Sequence, residues 1–229
     1  MLTTRVHHVM TRNVVCVREH TPYKEIVRTL LEHAVSAVPV LDAQHRVLGM
    51  VSEADLMEKQ ASLADGYPET RQLLSRRGRA AQAKVHALNA ASLMTAPAIT
   101  VSSGDDLAHA ASLMRRRAVR RLAVVDADGR LAGIVSRSDL LKPYLRSDDG
   151  IRAAVVQHVI VEEMCTDPRA VRVDVRDGVV TLSGEMENEF VARDTAHLVR
   201  ELDGVVEVVD HLRYRIEERP AARVFRTPA

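Results

Sequence analysis

The sequence predicts a mixed α/β (α+β) fold: two repeats of β-α-β-β-α order followed by a small α-β-β-α-β domain. Three observations predict it. Residues 49–56 read Gly-Met-Val-Ser-Glu-Ala-Asp-Leu and residues 133–140 read Gly-Ile-Val-Ser-Arg-Ser-Asp-Leu, 84 positions apart. The same offset pairs Met10-Thr11 with Met94-Thr95, Ala34-Val35 with Ala118-Val119, Asp42 with Asp126 and Asp55 with Asp139, without a gap. Repetition of that length outranks any local motif. Beyond Gly150 the pattern changes: Val171, Val173 and Val175 alternate with polar residues and meet the hairpin dipeptide Asp177-Gly178.

The first repeat opens with Val14-Val15-Cys16-Val17, a short strand. Thr21 is expected to cap the next helix with Pro22 at its first position. Ile26, Val27, Leu30, Leu31 and Ala34 follow at helical spacing and predict one buried face. Ala37-Val38-Pro39-Val40-Leu41 is a continuous apolar run, hence a strand covered on both sides. A polar turn, Asp42-Ala43-Gln44-His45-Arg46, leads to a strand over 47–52 and a helix from Glu53.

Residues 61–92 form a basic connector carrying Arg71, Arg76, Arg77, Arg79 and Lys84, with helix expected at 69–74 and 80–88. Its Arg76-Arg77-Gly78-Arg79 cluster reads first as a solvated charge run. The second repeat, 93–146, has Ile99-Thr100-Val101 as its opening strand and a helix over 105–117. Leu107, Ala110, Ala111 and Met114 are expected to face inward from that helix. Strands over 122–125 and 131–136 follow. Arg115, Arg116 and Arg117 suit the negative end of a helix, whereas Arg120 and Arg121 lie beyond it.

In the last domain, 147–217, Ile151, Val155, Val159 and Ile160 predict an amphipathic helix ending near Thr166-Asp167-Pro168. A second helix carries Val191, Leu198, Val199 and Leu202 and stops at Gly204. Val206, Val208, Leu212 and Tyr214 form the last strand. Residues 218–229 read as a flexible tail, and 1–60 hold the first repeat.

With 46% apolar residues the chain can fill such cores. The N-terminus has no apolar signal core, so the expected location is cytoplasmic. Cys16 and Cys165 lack metal-ligand spacing and are expected to be buried free thiols. No catalytic constellation is present: there is no Gly-x-Ser-x-Gly turn, and His7-His8, placed on an extended segment, would point apart. Aromatic residues are 3% with no Trp, which argues against a base-stacking nucleic-acid platform. The protein is therefore expected to be no enzyme and to need no metal or cofactor.

Each Gly-h-h-Ser-x-x-Asp corner puts a hydroxyl and a carboxylate where helix N–H groups point outward, a place for a sugar and a phosphate. With Val35-Ser36-Ala37-Val38-Pro39-Val40-Leu41-Asp42 and Arg121-Leu122-Ala123-Val124-Val125-Asp126, these corners make residues 7–143 resemble a tandem pair of CBS domains, the regulatory modules named after cystathionine β-synthase. Residues 150–217, with Asp177-Gly178-Val179-Val180-Thr181-Leu182-Ser183-Gly184 and Gly204-Val205-Val206-Glu207-Val208, resemble a BON domain, a bacterial module often proposed to meet phospholipid.

The resemblance implies two repeats packed about a pseudo-twofold axis, two clefts that take an adenosine nucleotide (AMP, ADP or ATP), and a homodimer. Carried over, the first cleft holds Val15, Val35, Ser36, Ile134, Ser136, Ser138 and Asp139, with Arg120 and Arg121 supplying charge for phosphate. The weaker second cleft has Ile99, Val119 and again Arg120, with Met50, Ser52 and Asp55; Ala54 stands there in place of Ser138, and Glu53 in place of Arg137. The implied function is nucleotide sensing relayed through the BON-like domain to a protein partner. A dimerisation scaffold tethered to an envelope surface is the alternative. Residues 151–229 carry 11 Lys/Arg against 15 Asp/Glu, which favours a protein partner over an anionic phospholipid surface. Arginine-mediated nucleic-acid binding is the weakest reading.

Overall fold

The computed structural model describes residues 4–65 and 84–214, and the chain divides into two compact units, one holding Thr4–Leu140 and the other the residues from Leu141 onward. In the first unit the leading repeat contains α1 (Val6–Val9), β1 (Val17–Arg18), α2 (Tyr23–Glu32), β2 (Ala37–Leu41), β3 (Val47–Ser52) and α3 (Glu53–Asp65). The second contains α4 (Ala90–Leu93), β4 (Thr100–Ser102), α5 (Leu107–Arg117), β5 (Arg121–Val125) and β6 (Leu131–Ser136). Each repeat forms a three-stranded sheet in sequence order, its first pair parallel and its second antiparallel. Even the register shift recurs, at Val40/Leu41 and at Val124/Val125.

Many of the expected core positions are buried. Val38, Val40 and Leu41 on β2, Ile26 and Leu30 on α2, and Ala110 and Met114 on α5 are all in the core. The short helices complete the cores by exchange. Ala90 and Leu93 of α4 pack against Ile26, Leu30, Val38 and Val51 of the first repeat. Val6 and Val9 of α1 pack against Val101, Ala110, Met114 and Leu122 of the second. Backbone bonds fix the exchange: Ala90 N–H donates to Thr21 O at 2.9 Å, and Val6 N–H to Asp105 O at 2.9 Å. Neither repeat has a closed core without the other's opening helix.

Among the described residues five isolated bridges repeat the same symmetry. Arg5↔Asp106 maps onto Pro22↔Asn89 under the 84-residue offset, Thr11↔Ile134 maps onto Met50↔Thr95, and Arg46↔Arg130 maps onto itself. The pseudo-twofold axis therefore runs by the two polar turns. The motif glycines permit the crossing. A Cβ on Gly49 would lie 2.6 Å from Met94 Sδ and 2.9 Å from Thr95 O; on Gly133 it would lie 2.6 Å from Met10 Sδ and 3.0 Å from Thr11 O. Glycine here serves close approach of another backbone.

Several local expectations are corrected. Pro22, with extended backbone, is itself the N-cap of α2, and its carbonyl accepts from Ile26 N–H at 3.1 Å; the Thr21 hydroxyl accepts from Arg18 N–H instead. Leu31 is 74% exposed because α2 buries only the narrow stripe of Ile26 and Leu30. Ala34 lies beyond the helix with a left-handed backbone (φ 51) and is exposed. On α5 Ala111 is exposed, and Leu113 packs inward in its stead. The opening strand of the first repeat shortens to Val17–Arg18. After β6 the chain makes a 3₁₀ helix, Asp139–Leu145, containing Pro143, which cannot donate an i→i−4 bond. The expected helix at 69–74, the Arg76–Arg79 cluster and the tail at 218–229 lie outside the described residues; of 80–88, residues 84 and 85 are helical.

Both cysteines are exposed, against expectation. Cys16 precedes Val17, which is buried on β1, so strand alternation turns the thiol outward. Cys165 sits at φ 49 in the loop after a helix end. His7 and His8 lie on α1 rather than an extended segment, and their rings meet at 4.0 Å between centroids.

The second unit contains α6 (Asp148–Ala154), a π-helix over Val155–Glu163, β7 (Val171–Arg176), β8 (Val179–Met186), α7 (Glu189–Arg200) and β9 (Glu207–Tyr214). β7 and β8 pair as an antiparallel hairpin; β8 and β9 are parallel, joined through α7. Val171, Val173 and Val175 point into a core with Ile151, Val155, Ile160, Leu182 and Val199. Val208 is buried and Leu212 packs on the core as expected, whereas Val206 lies before the strand, its N–H donating to Gly178 O at 2.9 Å, and is exposed with Val205 buried in its stead. Asp148 ties the unit together: its carboxylate accepts from Asp177 N–H and Gly178 N–H at 2.9 Å each. Gly184 has φ 141 and a Cβ there would lie 2.1 Å from Ala170 O, so only glycine fits.

Candidate functional site

A cavity of about 480 Å³ opens between the two repeats. One wall comes from the end of β3 and the start of α3: Met50, Ser52, Glu53, Ala54 and Asp55. The facing wall is Val119, Arg120 and Arg121 at the entry to β5, with Thr95, Pro97, Ala98 and Ile99 of the crossing segment between them. Ser36, at the entry to β2, completes the rim. The Met50↔Thr95 bridge, with N–H···O distances of 3.1 and 2.8 Å, holds the crossing segment against β3.

The local structure of the corner follows from its sequence. β3 ends at Ser52 and Asp55 falls in the first turn of α3, where a carboxylate caps free N–H groups. Asp55 Oδ2 accepts from Ser52 N–H and from the Ser52 hydroxyl, both at 2.7 Å. Its Oδ1 accepts from Lys84 Nζ and, at 3.3 Å, from the Thr95 hydroxyl; Lys84 also donates to Thr95 Oγ1 at 2.8 Å. Among the described residues Asp55 is the only buried charged residue. Its pseudo-symmetric mate Asp139 accepts from Ser136 N–H at 2.8 Å and Ser136 Oγ at 2.6 Å, while Ser136 and Ser138 hydroxyls meet at 2.8 Å.

On the opposite wall Arg121 Nη1 donates to Ser36 Oγ, so one side chain joins the strand entries of both repeats. Glu53 N–H donates to Ser36 O at 3.0 Å, and its mate Arg137 N–H to Arg120 O at 3.2 Å. Arg137 Nη2 donates to Val119 O at 3.2 Å. Two guanidiniums thus face two carboxylates, one of which, Asp55, is neutralised by Lys84. The balance favours an anionic group near Arg120 and Arg121, which present fork donors suited to phosphate.

Of the residues expected in the second cleft, Ile99, Val119, Met50, Ser52 and Asp55 all line this cavity. Ser36 and Arg121, expected in the first cleft, and Arg120, expected in both, line it as well. Val15, Val35, Ile134, Ser136, Ser138 and Asp139 are not on its walls: Val15 and Val35 pack against the first repeat's core, and Ile134 pairs with Thr11 and Ala123. The sequence reading missed Lys84, Thr95, Pro97 and Ala98. The 84-residue offset marked Thr95 only as the mate of Thr11, and nothing local distinguished Lys84 within its charged stretch. Among the described residues no group of three or more His, Cys, Asp or Glu is placed to hold a metal ion, and no helix is long and apolar enough to cross a membrane.

Comparison with known proteins agrees with this architecture. The CBS domain model matches residues 6–62 and 90–146, the two halves related by the 84-residue offset. The chain belongs to the CBS-domain family. A BON domain follows at residues 147–216. The chain is similar to CBSX2 of Arabidopsis thaliana, solved in complex with AMP, at 30% identity and a TM-score of 0.54 over 62% of this chain and 96% of that one. Among curated relatives, an uncharacterised protein of Methanocaldococcus jannaschii is 25% identical over 82% of this chain and 38% of its own length. The chloroplastic CBS domain-containing protein CBSX1 of Arabidopsis thaliana is 27% identical over 57% of this chain and 58% of its own. The chain therefore spans well under two thirds of these two relatives.

Proposed function

We propose that this CBS pair is a non-catalytic sensor that binds an adenosine nucleotide in the cavity between its repeats and relays occupancy to a partner of the BON domain. The observation that carries the reading is the composition of the cavity: two arginines from one repeat face a Ser/Asp corner from the other across an apolar middle. Ile99, Val119 and Met50 offer an apolar slot for a purine, Ser52 and Asp55 the acceptors for ribose hydroxyls, and Arg120 with Arg121 the donors for phosphate. A volume of about 480 Å³ is within the range of small-ligand sites. The AMP bound to CBSX2 supports the ligand class. Because its groups come from both repeats, a nucleotide here favours one arrangement of the pair over another, and that differential affinity is what makes a switch.

The test is calorimetric titration of the full chain with AMP, ADP, ATP and S-adenosylmethionine, repeated on Arg120→Met. Removing one charge-assisted contact of about 1.5–3 kcal/mol should weaken a phosphate-bearing ligand roughly 10- to 150-fold. Absence of binding by wild type at millimolar nucleotide, or equal affinity in the variant, would sink the reading.

A further inference from the structure

We propose that Lys84 is an internal occupant of the ribose-binding corner, and that a nucleotide enters by exchanging its ribose hydroxyls for the Lys84 ammonium at Asp55. The inference rests on the reading that this cavity takes a nucleotide. Its starting point is the acceptor count. An ionised carboxylate has about four lone-pair sites, and Asp55 already receives Ser52 N–H, the Ser52 hydroxyl, Lys84 Nζ and the Thr95 hydroxyl. A ribose diol cannot be accepted until a donor leaves.

The four donors are not equally free to go. Ser52 N–H belongs to the end of β3, and the Ser52 hydroxyl sits three residues from the carboxylate it serves. The backbone of Thr95 is fixed by its two bonds to Met50, and its hydroxyl, at 3.3 Å, frees only one acceptor site by rotating, whereas a ribose diol needs two. Lys84 alone reaches Asp55 on a four-carbon stem, from 29 residues away in sequence. The pair is also largely out of water, with side-chain exposures of 14% for Lys84 and 11% for Asp55. Its exchange is therefore a real opposing term in ligand affinity, unlike that of a surface ion pair. Lys84 holds the ligand-free corner together and sets the ligand concentration at which it opens, so the same residue raises stability and lowers affinity.

Opposite signs are the test. The full chain is titrated with AMP in the calorimeter as wild type and as Lys84→Met, and both are melted without nucleotide. If the occupied corner predominates by ten to one or more, Lys84→Met should bind AMP roughly tenfold or more tighter, while its ligand-free Tm falls. Affinity and Tm falling together would make Lys84 merely structural, and weaker AMP binding with adenosine unaffected would make it a phosphate ligand; either overturns the proposal. Equal AMP affinity in both proteins overturns it while leaving the nucleotide reading intact. Failure of both proteins to bind AMP, ADP or ATP overturns the two together. A readout on unsubstituted protein covers the case in which Lys84→Met does not fold. The chain has four lysines, Lys24, Lys59, Lys84 and Lys142, so side-chain NMR of the ammonium groups is uncrowded. The Lys84 signal should lose its protection from solvent exchange on saturation with AMP; a signal that stays protected with AMP bound refutes the exchange.

Discussion

Alanine at the two motif glycines probes the crossing of the repeats most directly. At Gly49 the added carbon would stand 2.6 Å from Met94 Sδ and 2.9 Å from Thr95 O, against an ordinary contact of about 3.5 Å. The methionine can swing aside. The Thr95 carbonyl cannot, because it accepts from Met50 N–H at 3.1 Å while Thr95 N–H donates to Met50 O at 2.8 Å. The crossing segment must recede by about half an ångström or the bridge must open, an overpacking cost of about 1–3 kcal/mol. For a unit of this size, 2 kcal/mol lowers Tm by roughly 6–12 °C. Gly133→Ala meets Met10 and Thr11 in the same way and should cost as much. Gly104→Ala is the control: its Cβ would have only Ser102 Oγ near, at 4.0 Å, so it should be neutral or gain about 0.4–1 kcal/mol through the unfolded chain. Differential scanning calorimetry on the three variants decides the matter. If Gly49→Ala and Gly133→Ala melt with Gly104→Ala, the close approach does not constrain the fold. AMP titration adds a second arm, because Gly49→Ala displaces Thr95, Pro97 and Ala98 on the cavity wall whereas Gly133→Ala displaces none of its residues; at equal loss of Tm the first should bind AMP more weakly.

In the BON domain, Asp148→Ala removes the acceptor of two backbone N–H groups at 2.9 Å, which should cost about 1–3 kcal/mol; faster amide exchange at Asp177 and Gly178 is the specific readout. Gly184→Ala places a carbon 2.1 Å from Ala170 O at φ 141 and should cost roughly 3 kcal/mol or more, seen as loss of the domain's cooperative urea transition. The Glu162 carboxyl is held below its ordinary pKa by hydrogen bonds from His158 and Gln157. A depressed folded pKa adds stability that is present above the unfolded value and is lost as pH falls through the folded one. NMR titration should show the Glu162 pKa rising toward its ordinary value in His158→Gln, and no rise would discard the attribution.

The amino-acid pattern alone specified the doubled unit, because an ungapped offset of 84 positions requires two copies of one structure. It determined most elements, because continuous apolar runs, helical spacing and the Asp177-Gly178 turn each admit few conformations. It determined both Ser/Asp corners, since cap and carboxylate lie within four residues. It left open which repeat's core each opening helix fills. α1 and α4, Val-His-His-Val and Ala-Ala-Ser-Leu, are too short to carry a helical period, and only packing shows that Val6 serves the second core and Ala90 the first. It also hid why Gly49 and Gly133 are glycine, because the backbone they admit belongs to the other repeat. Side-chain periodicity shows that a face is covered without showing by what, so Ser36 and Arg121 were expected opposite the second corner and line the cavity of the first, where Arg120 was expected as well. Lys84 was hidden for the plainest reason: one cation in a charged stretch carries no period, and its partner Asp55 is brought beside it by tertiary structure alone.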